Sequence, residues 1–169
     1  LPDKMKHKNF VIQPLIRKKI FFSKNRLKKK TKNLSILIIG GSQSARKLDS
    51  LFNEDLIELS KKTKIKIFHQ TSKENLKKLK QFYLSKNISF EVFYYANNLH
   101  KIIKECDFVI TRSGASTINE LVFLKTPFLA IPYPFAVDDH QFYNAKYYTE
   151  KNLGWLIREN EIKDNFLYK

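Results

Sequence analysis

The sequence alternates short apolar runs with segments in which apolar residues recur at helical spacing. Its first run, residues 34–39, is almost continuously apolar and stops at Gly40 and Gly41, which is typical of a central parallel strand buried on both faces. Strands that alternate with helices build an α/β domain around a parallel sheet. The 169 residues therefore predict one Rossmann-like, doubly wound domain with right-handed crossovers.

The same periodicity gives the order of the elements. In such a sheet a ligand binds beyond the carboxyl ends of the strands, so we expect the loops at 40–43, 95–97, 113–117 and 132–141 to converge on one edge. Strands are predicted at 34–39, 65–68, 90–94, 108–110, 128–131 and 155–157, and helices at 48–59, 76–83, 99–103, 118–122 and 139–150.

The loop at 113–117 joins a predicted strand to a predicted helix through small residues. Unpaired N–H groups and the positive end of the helix dipole meet at such a turn and attract an anion such as phosphate. Glu120 follows one turn inside the helix, where its two oxygens could accept hydrogen bonds from both ribose hydroxyls. The spacing suggests a nucleotide, although Glu120 could be an exposed helical carboxylate and Ser116 and Thr117 could cap the helix.

The chain resembles the MurG family, the bacterial N-acetylglucosaminyltransferases that form lipid II, in three motifs. These are I-L-I-I-G-G-S-Q-S-A-R at 36–46, D-F-V-I-T-R-S-G-A-S-T-I-N-E-L at 107–121 and D-D-H-Q-F-Y-N-A at 138–145. The resemblance implies the C-terminal half of a GT-B glycosyltransferase, which binds UDP-N-acetylglucosamine. It also implies inverting transfer of the sugar to a lipid-linked muramyl acceptor at the cytoplasmic face of the bacterial inner membrane, with no metal or other cofactor.

The resemblance also assigns residues to the donor site. Ser44 replaces the glycine usual in the first motif, and no residue of this chain is predicted to be catalytic. The family's N-terminal acceptor domain has no counterpart here, so residues 34–169 are expected to be a donor domain, shortened at both ends, that is inactive alone. The residues implied to bind UDP-N-acetylglucosamine are Arg17, Ser42, Gln43, Ala96, Gly114, Ala115, Ser116, Thr117, Glu120, His140 and Gln141.

Other reactive side chains allow less specific interpretations. His140 follows Asp138 and Asp139, but adjacent helical positions point in different directions, so we expect no metal site. Arg112 could bind phosphate or could anchor its loop as a buried structural arginine. The single cysteine, Cys106, is expected to be a small core residue because no feature of the sequence supplies it with a base.

Basic residues concentrate at the start of the chain, which has a net charge of +16. Residues 1–33 hold 12 of the 32 basic and one of the 16 acidic residues, and are predicted to form a basic linker. This segment could be a solvated linker, could bind an anionic membrane, or could bind nucleic acid, the interpretation we favour least. Two alternative functions follow: the donor-binding subunit of a split transferase with a membrane-anchored partner, or a nucleic-acid-associated domain.

Overall fold

The structure is a computed structural model that describes residues 16–21, 33–40, 45–163 and 166–167. Its strands are β1 (Leu34–Ile39), β2 (Ile65–Gln70), β3 (Ser89–Phe93), β4 (Phe108–Thr111), β5 (Phe128–Ala130) and β6 (Trp155–Leu156). Its helices are α1 (Lys18–Phe21), α2 (Ala45–Leu51), α3 (Asn53–Lys62), α4 (Leu76–Ser85), α5 (Leu99–Glu105), α6 (Ala115–Phe123) and α7 (His140–Thr149). Two 3-10 turns lie at Val137–Asp139 and Glu159–Glu161.

The six strands form one parallel sheet in the order β3-β2-β1-β4-β5-β6. Strands β2 and β3 lie on one side of β1, and β4, β5 and β6 lie on the other. The topological switch point is therefore between β1 and β4, where Ile36 pairs with Phe108. Asp107 joins the two strands, because its Oδ2 accepts hydrogen bonds from the backbone N–H of Ser35 at 2.8 Å and from the Ser35 hydroxyl at 2.7 Å. This order confirms the doubly wound sheet that the sequence predicts and places a crevice between β1 and β4.

Helices cover both faces of the sheet, and each face has its own apolar core. The first core packs α2, α3 and α4 against inward-facing residues such as Ile38 and Ile110. The second core packs α5, α6 and α7 against residues such as Leu37 and Val109 on the opposite face. Consecutive residues of a strand point to opposite faces, which explains why the central strands β1, β4 and β5 are near-continuously apolar.

The helix predicted at 48–59 is wrong in one respect, because the structure divides it into α2 and α3. The break lies at Phe52, whose backbone angles are φ −113° and ψ 16°. Leu48 and Leu56 on either side are buried in the same apolar core, so the apolar spacing continues across the break. The predicted strands at 128–131 and 155–157 each end one residue earlier in the structure.

A buried polar network fixes α2 to the sheet. Asp49 of α2 accepts hydrogen bonds from the Thr71 hydroxyl and the Asn75 amide, both at 2.5 Å, and lies 3.0 Å from Nε2 of His69. Nδ1 of His69 lies 2.7 Å from the Tyr83 hydroxyl. Burial lowers the pKa of His69, so the neutral ring donates to Asp49 and accepts from Tyr83. The network holds α2 against β2 and α4.

Most of the predicted basic linker, residues 1–33, lies outside the described residues. Within residues 16–21, Ile20 is buried and α1 forms a single helical turn. None of the helices in the described ranges is long and apolar enough to cross a membrane.

Candidate functional site

The N-terminus of α6 lies beside the crevice, directly after β4. Gly114 is its N-cap residue, with extended backbone angles of φ −62° and ψ 134°. No side chain caps this helix, so the alternative that Ser116 or Thr117 caps it is wrong. A Cβ added to Gly114 would have no atom of the described residues within 4 Å apart from its chain neighbours. The space beside Gly114 is thus clear of other described residues, as an anion binding at this helix N-terminus requires.

Two side chains of α7 hold the loop before α6 in place. The Oε1 atom of Gln141 accepts hydrogen bonds from the backbone N–H of Ser113 at 3.2 Å and of Tyr133 at 3.0 Å. The Asn144 amide donates to the Ser113 carbonyl at 3.2 Å. Gln141 is one of the residues that the resemblance implies bind UDP-N-acetylglucosamine. Its oxygen is already used by the protein, so only its Nε2 donor is left for a ligand.

The turn before α7 has an unusual backbone. Asp138 and Asp139 both adopt left-handed conformations, with φ of 50° and 51°, so the helix starts later than the predicted Asp139. Asp139 forms a 2.5 Å ion pair with Arg158, and Nδ1 of the exposed His140 lies 2.7 Å from the Val137 carbonyl. In the part of the chain that the structure describes, no three His, Cys, Asp or Glu side chains are grouped to bind a metal.

Arg17 and Glu120, which lie 103 residues apart in the sequence, meet on the other side of α6. Nε and Nη2 of Arg17 donate to the two carboxylate oxygens of Glu120. The Glu120 side chain is 2% exposed, whereas that of Arg17 is 58% exposed. The hydrogen bond that Arg17 donates to Glu120 raises the pKa of Arg17. Glu120 is therefore a buried, ion-paired carboxylate and not the exposed helical residue that the sequence left as an alternative.

The loop after β3 approaches the same pair. Ala96 is half-buried and packs against the apolar core on the α6 side of the sheet. Burial and the nearby charges of Lys101 and Arg17 lower the pKa of His100. His100 could not be recognised from the sequence, because a single histidine in the first turn of a short helix carries no motif.

A second buried ion pair lies behind the loop, on the face of the sheet that α2 covers. Nη2 of Arg112 donates to Oε2 of Glu159 at 2.6 Å, and Nη1 donates to the carbonyls of Ile131 at 3.4 Å and Pro132 at 3.2 Å. The other Glu159 oxygen, Oε1, lies 2.5 Å from Nζ of Lys47 in α2. Arg112 is thus the buried structural arginine of the two alternatives.

Glu159 is charged despite its position. Burial alone would raise its pKa, but hydrogen bonds from Lys47 and Arg112 outweigh burial and lower the pKa. Two buried polar atoms of the adjacent loop, Nε of Arg112 and Oγ of Ser113, have no hydrogen-bond partner among the described residues. No motif in the sequence marks Glu159 or Lys47, because each stands in an ordinary polar stretch.

The structure brings most of the predicted site residues together at the carboxyl ends of the strands. Cys106 is buried at 1% exposure, as expected of a core residue. Ser42 and Gln43 lie outside the described residues. The predicted residues on this edge are Arg17, Ala96, Gly114, Ala115, Ser116, Thr117, Glu120, His140 and Gln141.

This geometry agrees with a comparison against known families. The sequence profile named glycosyltransferase family 28 C-terminal domain matches residues 35–169. The chain belongs to this family. The predicted GT-B type of α/β fold and the predicted resemblance to the MurG family are both confirmed by the relatives of this family 28 domain.

Two curated relatives carry the same name. The UDP-N-acetylglucosamine–N-acetylmuramyl-(pentapeptide) pyrophosphoryl-undecaprenol N-acetylglucosamine transferase of Pelagibacter ubique is 42% identical over 98% of this chain and 46% of its own length. The protein of that name from Sulfurovum sp. is 41% identical over 86% of this chain and 42% of its own length. The family 28 domain thus spans about half the length of the curated relatives it matches.

Solved structures give the same result. The crystal structure of Acinetobacter baumannii MurG matches with a TM-score of 0.74 at 28% identity, over 83% of this chain and 41% of that one. The glycotransferase of kitacinnamycin matches with a TM-score of 0.58 at 18% identity, over 85% of this chain and 36% of that one. The second likeness concerns the fold alone.

Proposed function

We propose that this family 28 domain binds UDP-N-acetylglucosamine and is the donor half of an N-acetylglucosaminyltransferase of peptidoglycan synthesis. The names of the relatives from Pelagibacter ubique and Sulfurovum sp. specify this donor and a muramyl-pentapeptide pyrophosphoryl-undecaprenol acceptor. The acceptor is lipid-linked, so the proposed reaction takes place at the cytoplasmic face of the inner membrane.

The observation that carries the proposal is that Glu120 is buried and paired with Arg17. A carboxylate offers about four acceptor positions on its two oxygens, and Arg17 uses only one on each oxygen. Among the described residues no other group donates to Glu120, so one acceptor position on each oxygen would serve the two hydroxyls of a ribose. The Arg17 pair also keeps the carboxylate charged and oriented.

The N-terminus of α6 supplies the complementary phosphate site. The Cα–Cβ bonds of a helix tilt toward its N-terminus, so the Glu120 side chain extends toward Gly114. The open space at Gly114 lets a diphosphate approach the free N–H groups of the first turn. A nucleoside diphosphate can therefore contact one helix through both its phosphates and its ribose.

The same site would assist the chemistry of the transfer. When the acceptor hydroxyl displaces UDP from the sugar, negative charge grows on the diphosphate, and the helix N-terminus stabilises that charge. The Oε1 atom of Gln141 accepts two backbone hydrogen bonds, and its Nε2 would donate to the donor sugar. Ser42, Gln43, Ala96 and His140 complete the proposed donor site. We assign the general base to the acceptor-binding part of the whole enzyme and to no residue of this chain.

The test compares the binding of UDP and of 2′,3′-dideoxy-UDP to the 169-residue chain by titration calorimetry. The unaltered chain should prefer UDP, because only UDP offers both ribose hydroxyls to Glu120. Glu120→Ala should weaken UDP binding by about 1–3 kcal/mol, the cost of losing hydrogen bonds to a charged group, and should abolish the preference.

Glu150→Ala is the matched control, since Glu150 is an exposed glutamate whose nearest ion-pair partner, Lys146, lies 3.7 Å away. Its UDP affinity should equal that of the unaltered chain. Equal affinity of the unaltered chain for the two nucleotides would show that Glu120 does not bind ribose. Failure to bind either nucleotide would overturn the proposed function.

A further inference from the structure

The cluster formed by Lys47, Arg112 and Glu159 joins three parts of the fold that surround the proposed phosphate site. Lys47 belongs to the first turn of α2, after β1. Arg112 is the second residue before Gly114, the N-cap of α6, and Glu159 lies in the 3-10 turn after β6. The Glu159 carboxylate contacts both cations, at 2.6 Å for Arg112 and 2.5 Å for Lys47.

Two of the three side chains are buried and the third is exposed. The side chains of Arg112 and Glu159 are 5% and 3% exposed, whereas that of Lys47 is 74% exposed. Two buried charges in contact hold a fixed geometry, because separating them would leave each charge desolvated and unpaired. Arg112 also donates to two carbonyls at the end of β5, so its guanidinium can hardly move without breaking several bonds.

The position of Arg112 in the chain transmits this rigidity to the proposed site. Its backbone N–H donates to the Ile39 carbonyl of β1 at 3.1 Å, and the next residue, Ser113, is held by Gln141 and Asn144 of α7. The Gly114 turn is therefore held from α7 on one face of the sheet and from Glu159 on the other. Removal of Glu159 would release the second support.

We propose that Glu159 is a positioning residue for diphosphate binding: through Arg112 and Lys47 it fixes the β4–α6 loop against α2. Glu159 itself does not touch the ligand. This inference rests on the proposed function and extends it to a residue whose own charge has the wrong sign to attract a phosphate. Its effect should fall on the phosphate half of the nucleotide and spare the nucleoside half.

The experiment measures the affinity of the 169-residue chain for UDP and for uridine by NMR titration, which detects weak binding. Glu159→Gln should raise the Kd for UDP about tenfold, a typical effect for a residue that acts through its neighbours, and should leave the Kd for uridine unchanged. A purely electrostatic role predicts the opposite sign, because loss of a negative charge near the site would tighten UDP binding. A purely structural role predicts a lower Tm with an unchanged ratio of the two affinities.

Glu159→Asp is the second variant and decides the matter if Glu159→Gln does not fold. It keeps the charge but shortens the side chain by one methylene, so the carboxylate cannot reach both Arg112 and Lys47. Its Kd for UDP should also rise selectively. Gly114→Ala is the positive control, because its added Cβ meets no protein atom and lies where the diphosphate would approach.

Glu161→Gln is the negative control, since Glu161 is exposed, lies in the same 3-10 turn and accepts a hydrogen bond from the Arg158 N–H that glutamine can also accept. Its two affinities should match those of the unaltered chain. If the unaltered chain binds UDP and the Glu159 variants bind it as tightly, the positioning role is wrong and the donor site stands. If the unaltered chain binds no UDP, both proposals fall.

Discussion

Two buried glutamates lie near the β4–α6 loop, and each pairs with an arginine, but the two pairs are built differently. The Glu120 side chain is 2% exposed and that of Glu159 is 3% exposed. Arg17, the partner of Glu120, is 58% exposed and belongs to the segment before β1, whereas Arg112, the partner of Glu159, is 5% exposed and follows β4.

The difference shows that the burial of a carboxylate does not by itself identify its role. The partner of Glu120 can return to water, and Glu120 retains free acceptor positions, as a ligand-binding carboxylate requires. Both oxygens of Glu159 contact cations, and Arg112 would remain buried if Glu159 were lost. We therefore interpret Glu120 as a binding residue and Glu159 as part of the scaffold that supports the site.

The largest loss of stability should come from Glu159→Gln, because this change removes the negative charge that pairs with the buried guanidinium of Arg112. Loss of one partner from a buried ion pair costs about 3–5 kcal/mol, so the free energy of unfolding should fall by that amount in urea denaturation. Glu150→Gln, at an exposed position, should change it by less than ~0.5 kcal/mol. A loss for Glu159→Gln as small as that of Glu150→Gln would mean that the Arg112 pair is not a stabilising part of the scaffold.

The stability difference between the unaltered chain and Glu159→Gln should depend on pH, and this pH-dependent part should be smaller than the whole difference. Hydrogen bonds from Lys47 and Arg112 lower the pKa of Glu159 below its ordinary value of 4.5. The unfolded chain therefore binds a proton at higher pH than the folded chain, and stability is lost as the pH falls through the folded pKa. The stability difference between the unaltered chain and Glu159→Gln should be constant above about pH 5 and should shrink at lower pH.

This comparison isolates Glu159, because other carboxylates such as Asp49 are present in both proteins. Urea denaturation at several pH values between neutrality and pH 3 would measure the difference. If the difference stays the same across this range, the pKa of Glu159 is not lowered in the folded protein.

The smallest stability effect should come from Glu120→Gln, although Glu120 is as buried as Glu159. Arg17 is largely exposed and can return to water, so its pair should contribute no more than a surface ion pair, about 1 kcal/mol or less. Thermal denaturation of Glu120→Gln beside Glu159→Gln would measure the contrast. Equal losses for the two variants would show that the exposure of the arginine does not distinguish the two pairs.

Much of the fold could be predicted from the sequence, because the central strands β1, β4 and β5 are buried on both faces and are therefore apolar runs. The run at 34–39 coincides with β1. The break between α2 and α3 could not be predicted, because Leu48 and Leu56 contact the same core on both sides of Phe52 and the helical spacing has no gap.

The site could be predicted where its residues form local motifs. The turn at Gly114 and the position of Glu120 follow from a strand, a loop and a helix in succession. Pairing of Arg17 with Glu120 spans 103 residues, and no local pattern contains it. Glu159 could not be recognised, because its role depends on Arg112 and Lys47, which the fold brings to it from distant strands.

The strand order also has a consequence for how the domain is made. On a ribosome, β1, β2 and β3 emerge first and can pair with one another, but the crevice does not yet exist, because its second wall is β4. The hydrogen bond that joins the two central strands needs Asp107, which is synthesised 72 residues after Ser35. The proposed nucleotide site therefore forms late in synthesis, and a nascent chain that captures UDP has already assembled the centre of its sheet.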